Sequence, residues 1–239
     1  LDFFEPDLVH SHHPFLLGMT ALRIARSREL PLVFTHHTLY ERYTHYVPAD
    51  SEALKRFVIE LATRYGNLAS VVFAPSESVA DLLRERGVKS PIHVVPTGVK
   101  LEDYQNGDGL AARAKYGIPE QAFVVGHLGR LAEEKNLGFL SEAVLELMQR
   151  NDDVHFLVVG TGPMQGQIAR LFEDHGLGDR LHLTGTLQGE AQRDAYSAMN
   201  VFGFSSTSET QGMVLTEAMA AGVPVVALDA SGCREVVDD

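Results

Sequence analysis

The sequence lacks the features that mark secreted, membrane-spanning and nucleic-acid-binding proteins. Cys233 is the one cysteine among 239 residues, which excludes a disulfide within the chain and favours a role as a small core residue. No apolar run has the length of a membrane span, and no stretch has the pattern of a signal peptide. The net charge of −12 is the opposite of what a phosphate backbone attracts. These absences predict a cytoplasmic protein without a nucleic-acid partner.

What the chain does have is a regular alternation of short apolar segments and helical stretches. Hydrophobic residues make up 45% of it, enough to fill one large core or two small ones. The segments DLVHSH, PLVFTHH, SVVFAPS and PIHVVPTG are typical of short strands, and helices are predicted between them around residues 15–27, 51–67 and 77–85. This alternation predicts an α/β fold whose parallel sheets are covered by helices on both faces.

Residues 201–228, VFGFSSTSETQGMVLTEAMAAGVPVVAL, carry the most specific pattern in the chain. VFGF predicts a buried strand, and the polar run after it predicts a loop and a helix that begins near Gln211 or Gly212. The helix is expected to reach Gly222, which suits a left-handed C-terminal cap, and VPVVAL predicts the next strand. Glu209 should therefore lie outside the carboxyl end of a parallel strand, where ligands bind in open α/β sheets.

Glu209 and Glu217 each allow a functional and a structural interpretation. Glu217 falls within an otherwise apolar helix, and an ionised carboxylate in such a place requires a hydrogen-bonding partner. Sugar hydroxyl groups would provide one, because they donate to a carboxylate that can only accept. Taken singly, Glu209 is equally well explained as a helix cap and Glu217 as a half-exposed helix residue. The N-terminus of the same helix offers N–H groups and a partial positive charge that suit a phosphate.

The two glutamates and their surroundings resemble a known signature. The spacing E-x7-E, followed by EAMA-x-G-x-PVVA, is similar to that of the retaining GT-B glycosyltransferases, the group 1 or family 4 enzymes that use nucleotide-sugar donors. The resemblance implies two Rossmann-like domains whose parallel sheets face a cleft. It assigns residues 1–97 to the second half of an N-terminal, acceptor-side domain, 98–121 to a hinge, and 122–239 to a nucleotide-sugar-binding domain. Both domains are expected to be truncated.

The same resemblance assigns roles to individual residues. In AFVVGHLGRLAEEKN, Arg130 and Lys135 would bind the donor diphosphate, because a departing nucleoside diphosphate develops negative charge that fixed cations stabilise. The structural alternative pairs these cations with Glu133 or Glu134. Glu209 would hold sugar hydroxyl groups and stabilise charge near the reacting carbon. The remaining donor-binding groups would be the ribose-binding carboxylate of Glu217 and the backbone N–H groups of Gly212, Met213 and Val214.

Histidines in the first part of the chain are further candidates. The resemblance maps His37, in FTHHT, onto a histidine that approaches the donor sugar, although His36 fits the same position. His10 and His36 are otherwise explained as satisfied residues at strand ends. No cysteine or carboxylate pattern completes a metal site around the histidines, and the Asp-x-Asp pair of metal-binding transferases is absent. Neither a metal ion nor another cofactor is therefore expected.

The glycines of GTGPMQG are less specific. Gly160, Gly162 and Gly166 depart by one residue from the dinucleotide fingerprint, and no acidic residue follows at the distance which that fingerprint requires. We interpret them as a tight turn between a strand and a helix that lets the backbone approach the nucleotide. A second departure concerns the sugar: many similar enzymes carry an aromatic residue two positions after the first glutamate, where this chain has Gln211.

The acceptor is suggested by residues 36–48, HHTLYERYTHYVP, and the helix after them. Together they are similar to bacterial diacylglycerol glucosyltransferases, which implies a sugar or a glycerolipid as acceptor. The helix places Phe57, Val58 and Leu61 beside basic residues, an arrangement that suits peripheral contact with the inner face of a membrane. An ordinary amphipathic helix packed on its own sheet explains the pattern equally well.

The function predicted from the resemblance is transfer of a sugar from a UDP- or GDP-linked donor with retention of the anomeric configuration. Two other functions remain open. A nucleotide-sugar-binding module, or an inactive fragment, would keep Arg130 and Lys135 but transfer no sugar. A nucleotide-sugar epimerase of the same fold would need acid and base groups in both domains, and the long EAMA motif disfavours it.

Overall fold

Two parallel sheets organise the chain, and the computed structural model describes residues 4–46 and 51–237 of it. The first unit holds Leu1–Thr97 and Ser208–Gln211, and the second holds Gly98–Thr207 and Gly212–Asp239. Each unit has one of the sheets. The α/β architecture with parallel strands, predicted from the alternating sequence pattern, is confirmed.

The first unit is built on a four-stranded sheet in the order β1-β2-β3-β4. Each strand lies beside its predecessor in sequence, and the helical connections between them pack buried apolar side chains such as Phe34, Val72 and Leu83 into one core. The elements are β1 (Val9–Ser11), α1 (Leu17–Ser27), β2 (Leu32–Thr35), a 3₁₀ helix (Tyr40–Tyr46), α2 (Glu52–Gly66), β3 (Val71–Ala74), α3 (Glu77–Glu85) and β4 (Ile92–Val94).

Serine side chains fix the starts of α2 and α3. Ser51 Oγ accepts a hydrogen bond from the Leu54 N–H at 3.2 Å, and Ser76 Oγ accepts one from the Val79 N–H at 3.3 Å. Each serine satisfies an N–H group that has no partner within its helix. Ser76 Oγ also donates to the carbonyl oxygen of Thr210 at 2.7 Å, so the cap of α3 holds the segment 208–211 as well.

The segment 208–211 has further hydrogen bonds within the first unit. Thr210 Oγ1 donates to the carbonyl oxygen of His37 at 2.9 Å. The side-chain amide of Gln211 donates to the Thr97 carbonyl and accepts from the Thr97 N–H, both at 2.7 Å, and this glutamine is buried. Gln211, at the position where an aromatic residue is common in similar enzymes, therefore anchors the segment.

The second unit is built on a five-stranded parallel sheet in the order β7-β6-β5-β8-β9. The chain adds β6 and β7 on one side of β5 and then crosses to the other side to add β8 and β9, so the strand order reverses between β5 and β8. Such a reversal marks the crevice in which open α/β sheets bind ligands. The strands are β5 (Phe123–Leu128), β6 (Val154–Val159), β7 (Leu181–Gly185), β8 (Val201–Phe204) and β9 (Val225–Ala227). The helices are α4 (Gly109–Tyr116), α5 (Leu137–Arg150), α6 (Gln165–Asp174), α7 (Glu190–Ser197) and α8 (Met213–Ala220).

The ladder between β5 and β8 is short. β5 pairs with β6 along its whole length, from Phe123 to Leu128, but with β8 at Val125↔Val201 and Gly126↔Phe202. At the next position, the buried ring of His127 donates from Nδ1 to the Gly203 carbonyl at 3.1 Å. The two strands therefore part at the edge of the sheet from which the predicted ligand-binding loops leave.

The glycine turn after β6 packs directly on the loop after β5. Gly160 has a φ of +136°, and a Cβ atom there would lie 1.8 Å from the carbonyl oxygen of Gly129. A Cβ atom at Gly162 would lie 2.3 Å from the carbonyl oxygen of Leu131. Since no other residue permits such approaches, the tight turn expected of GTGPMQG is present. Cys233 is 1% exposed, which confirms it as a core residue.

The apolar residues of α2 that the sequence predicts for a membrane-facing surface do not all lie on an exposed face. Val58 is buried, so its predicted place on a membrane-facing surface is wrong, whereas Phe57 is 60% exposed. Two of the basic residues are paired along the helix, Lys55 with Glu52 and Arg64 with Glu60. In the part of the chain that the structure describes, no helix has the length and apolar character needed to cross a membrane.

His36 is buried without a hydrogen-bonding partner among the described residues. It is 1% exposed, and neither ring nitrogen has a partner. Burial, with the Arg86 cation adding to it, lowers the pKa of His36 to about 4. The prediction of a satisfied histidine is therefore wrong for His36. It is confirmed for His10, whose Nε2 lies 2.7 Å from Thr35 Oγ1.

We expect the free energy of unfolding to fall as the pH drops from about 6.5 to about 4. In this window the unfolded chain binds a proton at His36 that the folded chain excludes, so stability is lost with falling pH, by roughly 2–3 kcal/mol for this residue. Burial lowers the pKa of other histidines in the same direction, namely His10, His37, His155 and His182. Urea titrations at several pH values measure the slope.

The variant His36→Leu should reduce this pH dependence by the share that His36 contributes, because leucine occupies a similar volume and binds no proton. His93→Leu is the matched control, since His93 is exposed on the edge strand β4. If His36→Leu retained the acid sensitivity of the wild-type protein, the role given to the buried imidazole would be wrong.

Candidate functional site

A cavity of about 370 Å³ opens at the carboxyl ends of β5, β6 and β7 in the second unit. It is lined by residues 128–130, 159–161 and 186–187, so the loops after three neighbouring strands each contribute to its wall. Its volume lies within the range of about 300–1,000 Å³ that is usual for small-molecule sites. Because Gly129 and Gly160 lie in this wall, the backbone there can approach a ligand without an intervening side chain.

Arg130 is part of the cavity wall. Its side chain is 44% exposed, and its guanidinium forms an ion pair with Glu134, whose side chain is 8% exposed. The ion pair with Glu134, which is the structural alternative for Arg130, is therefore formed. The same arginine also lines the cavity. A guanidinium carries five N–H donors in a planar fork, which matches the geometry of a carboxylate or a phosphate group. The pair fixes the direction of the arginine, and a phosphate at the cavity would meet an oriented cation.

Lys135 ends a 3₁₀ helix, Glu133–Lys135, whose backbone is tied to the end of β8. Ser205 Oγ lies 3.0 Å from the carbonyl oxygen of Lys135 and 2.9 Å from that of Asn136. The Asn136 side chain donates in return to the Ser205 carbonyl at 3.3 Å. These hydrogen bonds join the segment of Lys135, which follows β5, to the residue that follows β8. They therefore connect the two strands between which the strand order reverses.

The helix α8 begins and ends as the sequence predicts. Gly212, in the left-handed region with φ +65°, is its cap, and Gly222 takes the left-handed φ of +76° expected after its end. Because Gly212 has no side chain, no cap side chain covers the first N–H groups of the helix. The predicted donor-binding N–H groups of Gly212, Met213 and Val214 lie together at this helix end.

Glu217 lies half-buried on α8 and is held by two side chains of α7. The Tyr196 hydroxyl donates to Glu217 Oε2 at 2.8 Å, and Gln192 Nε2 donates to the same oxygen at 3.1 Å. Burial, and after it the charge of Glu217, raises the pKa of Tyr104 to about 12. The prediction that this carboxylate requires hydrogen-bonding partners is confirmed, but the partners in the structure are protein groups that the sequence did not reveal.

Glu209 and His37 belong to the first unit. Thr210, the neighbour of Glu209, donates to the carbonyl oxygen of His37, which ties their two segments together. His37 is exposed whereas His36 is buried, so His37 is the histidine of FTHHT whose ring can contact a ligand. Its Nε2 lies 2.9 Å from Nδ1 of His12. Burial, followed by the neighbouring His12, lowers the pKa of His37 and favours its neutral form.

The histidine pairs share hydrogen bonds between rings. His155 Nδ1 lies 2.9 Å from His182 Nε2 on the adjacent strands β6 and β7, and the pair His12–His37 has the same kind of contact. A hydrogen bond between two ring nitrogens requires one of them to donate an N–H and the other to accept it. Within residues 4–46 and 51–237, no group of three or more His, Cys, Asp or Glu side chains could hold a metal ion.

Comparison with known protein families matches both halves of the chain. The family described as "Glycosyl transferases group 1" matches residues 110–239, more than half of the chain, and "Glycosyltransferase Family 4" matches residues 1–103. The cavity, Arg130, Lys135, Glu217 and the start of α8 all lie within the first of these matches.

Individual relatives agree with the family match. The chain is 30% identical over 229 residues to the alpha-monoglucosyldiacylglycerol synthase of Streptococcus pneumoniae (strain ATCC BAA-255 / R6), covering 94% of this chain and 52% of the relative. It is 27% identical over 230 residues to the protein of the same name from Acholeplasma laidlawii, covering 92% and 58%. The chain thus spans about half the length of these curated relatives.

A solved structure is similar over nearly the whole chain. The crystal structure of Anabaena HepE in complex with UDP-glucose superposes with a TM-score of 0.76 and 25% sequence identity. The match covers 98% of this chain and 62% of that one. The arrangement of strands and helices in both units therefore has a counterpart in a protein of known structure.

Proposed function

Because this chain belongs to the group 1 glycosyltransferases and has their GT-B fold, we propose that it transfers a sugar from a nucleoside-diphosphate sugar to an acceptor with retention of the anomeric configuration. The 370 Å³ cavity at the carboxyl ends of β5 to β7, with Arg130 in its wall, carries this proposal. A cavity with close backbone on one side and a guanidinium on another suits a nucleoside diphosphate.

The donor is held by four kinds of group in the second unit. Arg130 and Lys135 neutralise the diphosphate, which becomes more negative as the bond to the sugar breaks. The N–H groups at the start of α8 bind phosphate or sugar oxygens, and Glu217 accepts from the ribose hydroxyl groups. UDP is the first nucleotide to test, since the superposed Anabaena structure contains UDP-glucose, and GDP is the second.

The sugar is acted on by Glu209 and His37. Glu209 holds sugar hydroxyl groups and stabilises the positive charge that builds up near the reacting carbon, and His37 contacts the sugar as a neutral ring. In the transfer, the bond between the anomeric carbon and the diphosphate oxygen breaks, and a bond to the acceptor oxygen forms. The diphosphate leaves with the electron pair of the broken bond, and it takes up the proton that the acceptor hydroxyl group loses. Fixed cations of the protein take the place of a metal ion.

The acceptor proposed is the hydroxyl group of a glycerolipid. Two relatives are named as synthases of monoglucosyldiacylglycerol, and their matched segments include the helix α2 with its exposed Phe57. Such an acceptor lies in a membrane, so the protein would act at its surface, on the cytoplasmic face where nucleotide sugars are available.

The test is release of UDP from UDP-glucose, measured with and without diacylglycerol in mixed micelles, together with NMR of the anomeric proton of the product. Glycolipid with the configuration of the donor is expected, and chelation of metal ions should leave the rate unchanged. Nucleotide binding without UDP release would identify a binding module, and conversion of the donor sugar into an epimer would identify an epimerase. Either outcome would replace the proposed function.

Arg130→Ala is expected to weaken UDP binding about tenfold and to leave uridine binding unchanged. A charge-assisted hydrogen bond contributes about 1.5–3 kcal/mol. Uridine has no phosphate group and so does not form this bond with Arg130. Calorimetric titration with the two ligands measures the difference. Arg150→Ala, at an exposed arginine with the same kind of i,i+4 ion pair, is the control. Equal losses for UDP and uridine would mean that Arg130 acts through the fold and does not contact phosphate.

A further inference from the structure

Tyr196 is a core residue whose single polar atom is directed at Glu217. It lies on α7, is fully buried, and packs in the same apolar cluster as Phe202 and Leu215. Its hydroxyl group nevertheless donates to Glu217 Oε2 at 2.8 Å, and Gln192, one turn earlier on α7, donates to the same oxygen at 3.1 Å. Two donors from one helix thus converge on one oxygen of a carboxylate on another.

We propose that Tyr196 and Gln192 are positioning residues for the nucleotide: they hold the Glu217 carboxylate in one rotamer, so that its remaining acceptor capacity meets the ribose hydroxyl groups of the donor. This inference rests on the proposed function and deepens it, because it names the residues that hold the ribose-binding carboxylate in place. Tyr196 itself does not touch the nucleotide.

The chemistry of the three groups supports this assignment. An ionised carboxylate offers about four acceptor sites on its two oxygens, and the α7 donors occupy two of them on Oε2. Burial, and next the charge of Glu217, raises the pKa of Tyr196, so its hydroxyl group remains a donor throughout the neutral range. A carboxylate with two charge-assisted hydrogen bonds loses its freedom before the ligand arrives, which lowers the entropic penalty of binding.

The position of α7 links this pair to the cavity. The helix begins at Glu190, shortly after residues 186–187, which form part of the cavity wall at the end of β7. Gln192 lies in its first turn and Tyr196 one turn further on. The segment that borders the cavity therefore continues directly into the helix that orients Glu217.

Calorimetric titration of wild-type protein, Tyr196→Phe and Gln192→Met with UDP and 2′,3′-dideoxy-UDP tests the inference. Tyr196→Phe removes one oxygen and keeps the ring, so the core stays filled. We expect it to weaken UDP binding about tenfold, and Gln192→Met to weaken it less. Neither should change the affinity for the dideoxy nucleotide, which has no hydroxyl group to present to Glu217. Tyr116→Phe, a change of the same kind against the same cluster, should alter neither affinity.

The possible outcomes separate the inference from the function on which it rests. Equal losses of UDP and dideoxy-UDP affinity in Tyr196→Phe would show that the tyrosine serves only the fold and would overturn the inference. So would unchanged affinity for both nucleotides in Tyr196→Phe and Gln192→Met. Wild-type protein that binds UDP and dideoxy-UDP equally would remove the ribose role of Glu217, and wild-type protein that binds neither would overturn the proposed function itself.

Discussion

Glu209→Gln is expected to lower the rate of sugar transfer about a thousandfold while leaving the affinity for UDP within about twofold of the wild-type value. The substitution keeps the size of the side chain and removes its charge. A group directed at charge that develops only in the transition state contributes about 10²- to 10³-fold to the rate, and it contributes little to ground-state binding. Initial rates of UDP release from UDP-glucose, with calorimetry of UDP, measure the two effects separately.

The control for this prediction is Glu190→Gln, the same change at a carboxylate whose side chain is 82% exposed at the start of α7. It should leave both quantities unchanged. A Glu209→Gln protein that transfers sugar at the wild-type rate would remove the charge-stabilising role. A protein that loses UDP affinity and rate by the same factor would place Glu209 in nucleotide binding.

Gly160→Ala is expected to lower the free energy of unfolding by about 4 kcal/mol and to abolish UDP binding. Its φ of +136° is unfavourable for alanine, and the added Cβ atom would lie 1.8 Å from the carbonyl oxygen of Gly129. Backbone strain of this kind costs about 1–2 kcal/mol and overpacking about 1–3 kcal/mol. Because Gly129 and Gly160 both line the cavity, the displacement needed to relieve the clash would deform the site. Urea denaturation and UDP titration measure the two losses.

Gly166→Ala provides a matched control six residues later in the same glycine-rich run. A Cβ atom at Gly166 would have no neighbour within 4 Å, and the residue lies in the first turn of α6. Alanine is the better helix former, so this variant should gain up to about 1 kcal/mol and bind UDP normally. If Gly160→Ala unfolded at the wild-type urea concentration, the close approach of the two loops would not be a constraint on this fold.

The elements around α8 could be predicted from sequence because each is specified by its own neighbours. The apolar run VFGF gives β8, and Gly222 and Pro224 separate α8 from β9. The sequence predicts that the helix begins near Gln211 or Gly212, and its cap is Gly212. Period and capping chemistry act over a few residues, so no tertiary information was needed.

The partners of side chains were less accessible to sequence reasoning. Glu217 finds Tyr196 and Gln192, which are 21 and 25 residues away on another helix, and nothing in their local pattern distinguishes them from other helix residues. The ion pair of Arg130 with Glu134 spans four residues, and the sequence predicts it as the structural alternative. The sequence predicts a satisfied histidine at His36, but its burial past the end of β2 depends on groups distant in sequence, such as the Phe73 carbonyl oxygen, which accepts from the His36 N–H at 2.9 Å.

The ring of His127 has a consequence for how the second sheet opens. It occupies the place of the rung that would follow Gly126↔Phe202, with Phe202 and Phe204 stacked at 6.1 and 6.2 Å from it. A hydrogen bond from this side chain to the Gly203 carbonyl takes the place of a backbone hydrogen bond between the strands. The imidazole ring therefore lies between β5 and β8 where their pairing ends. The place where β5 and β8 stop pairing is therefore set within the sheet itself, by the side chain of His127.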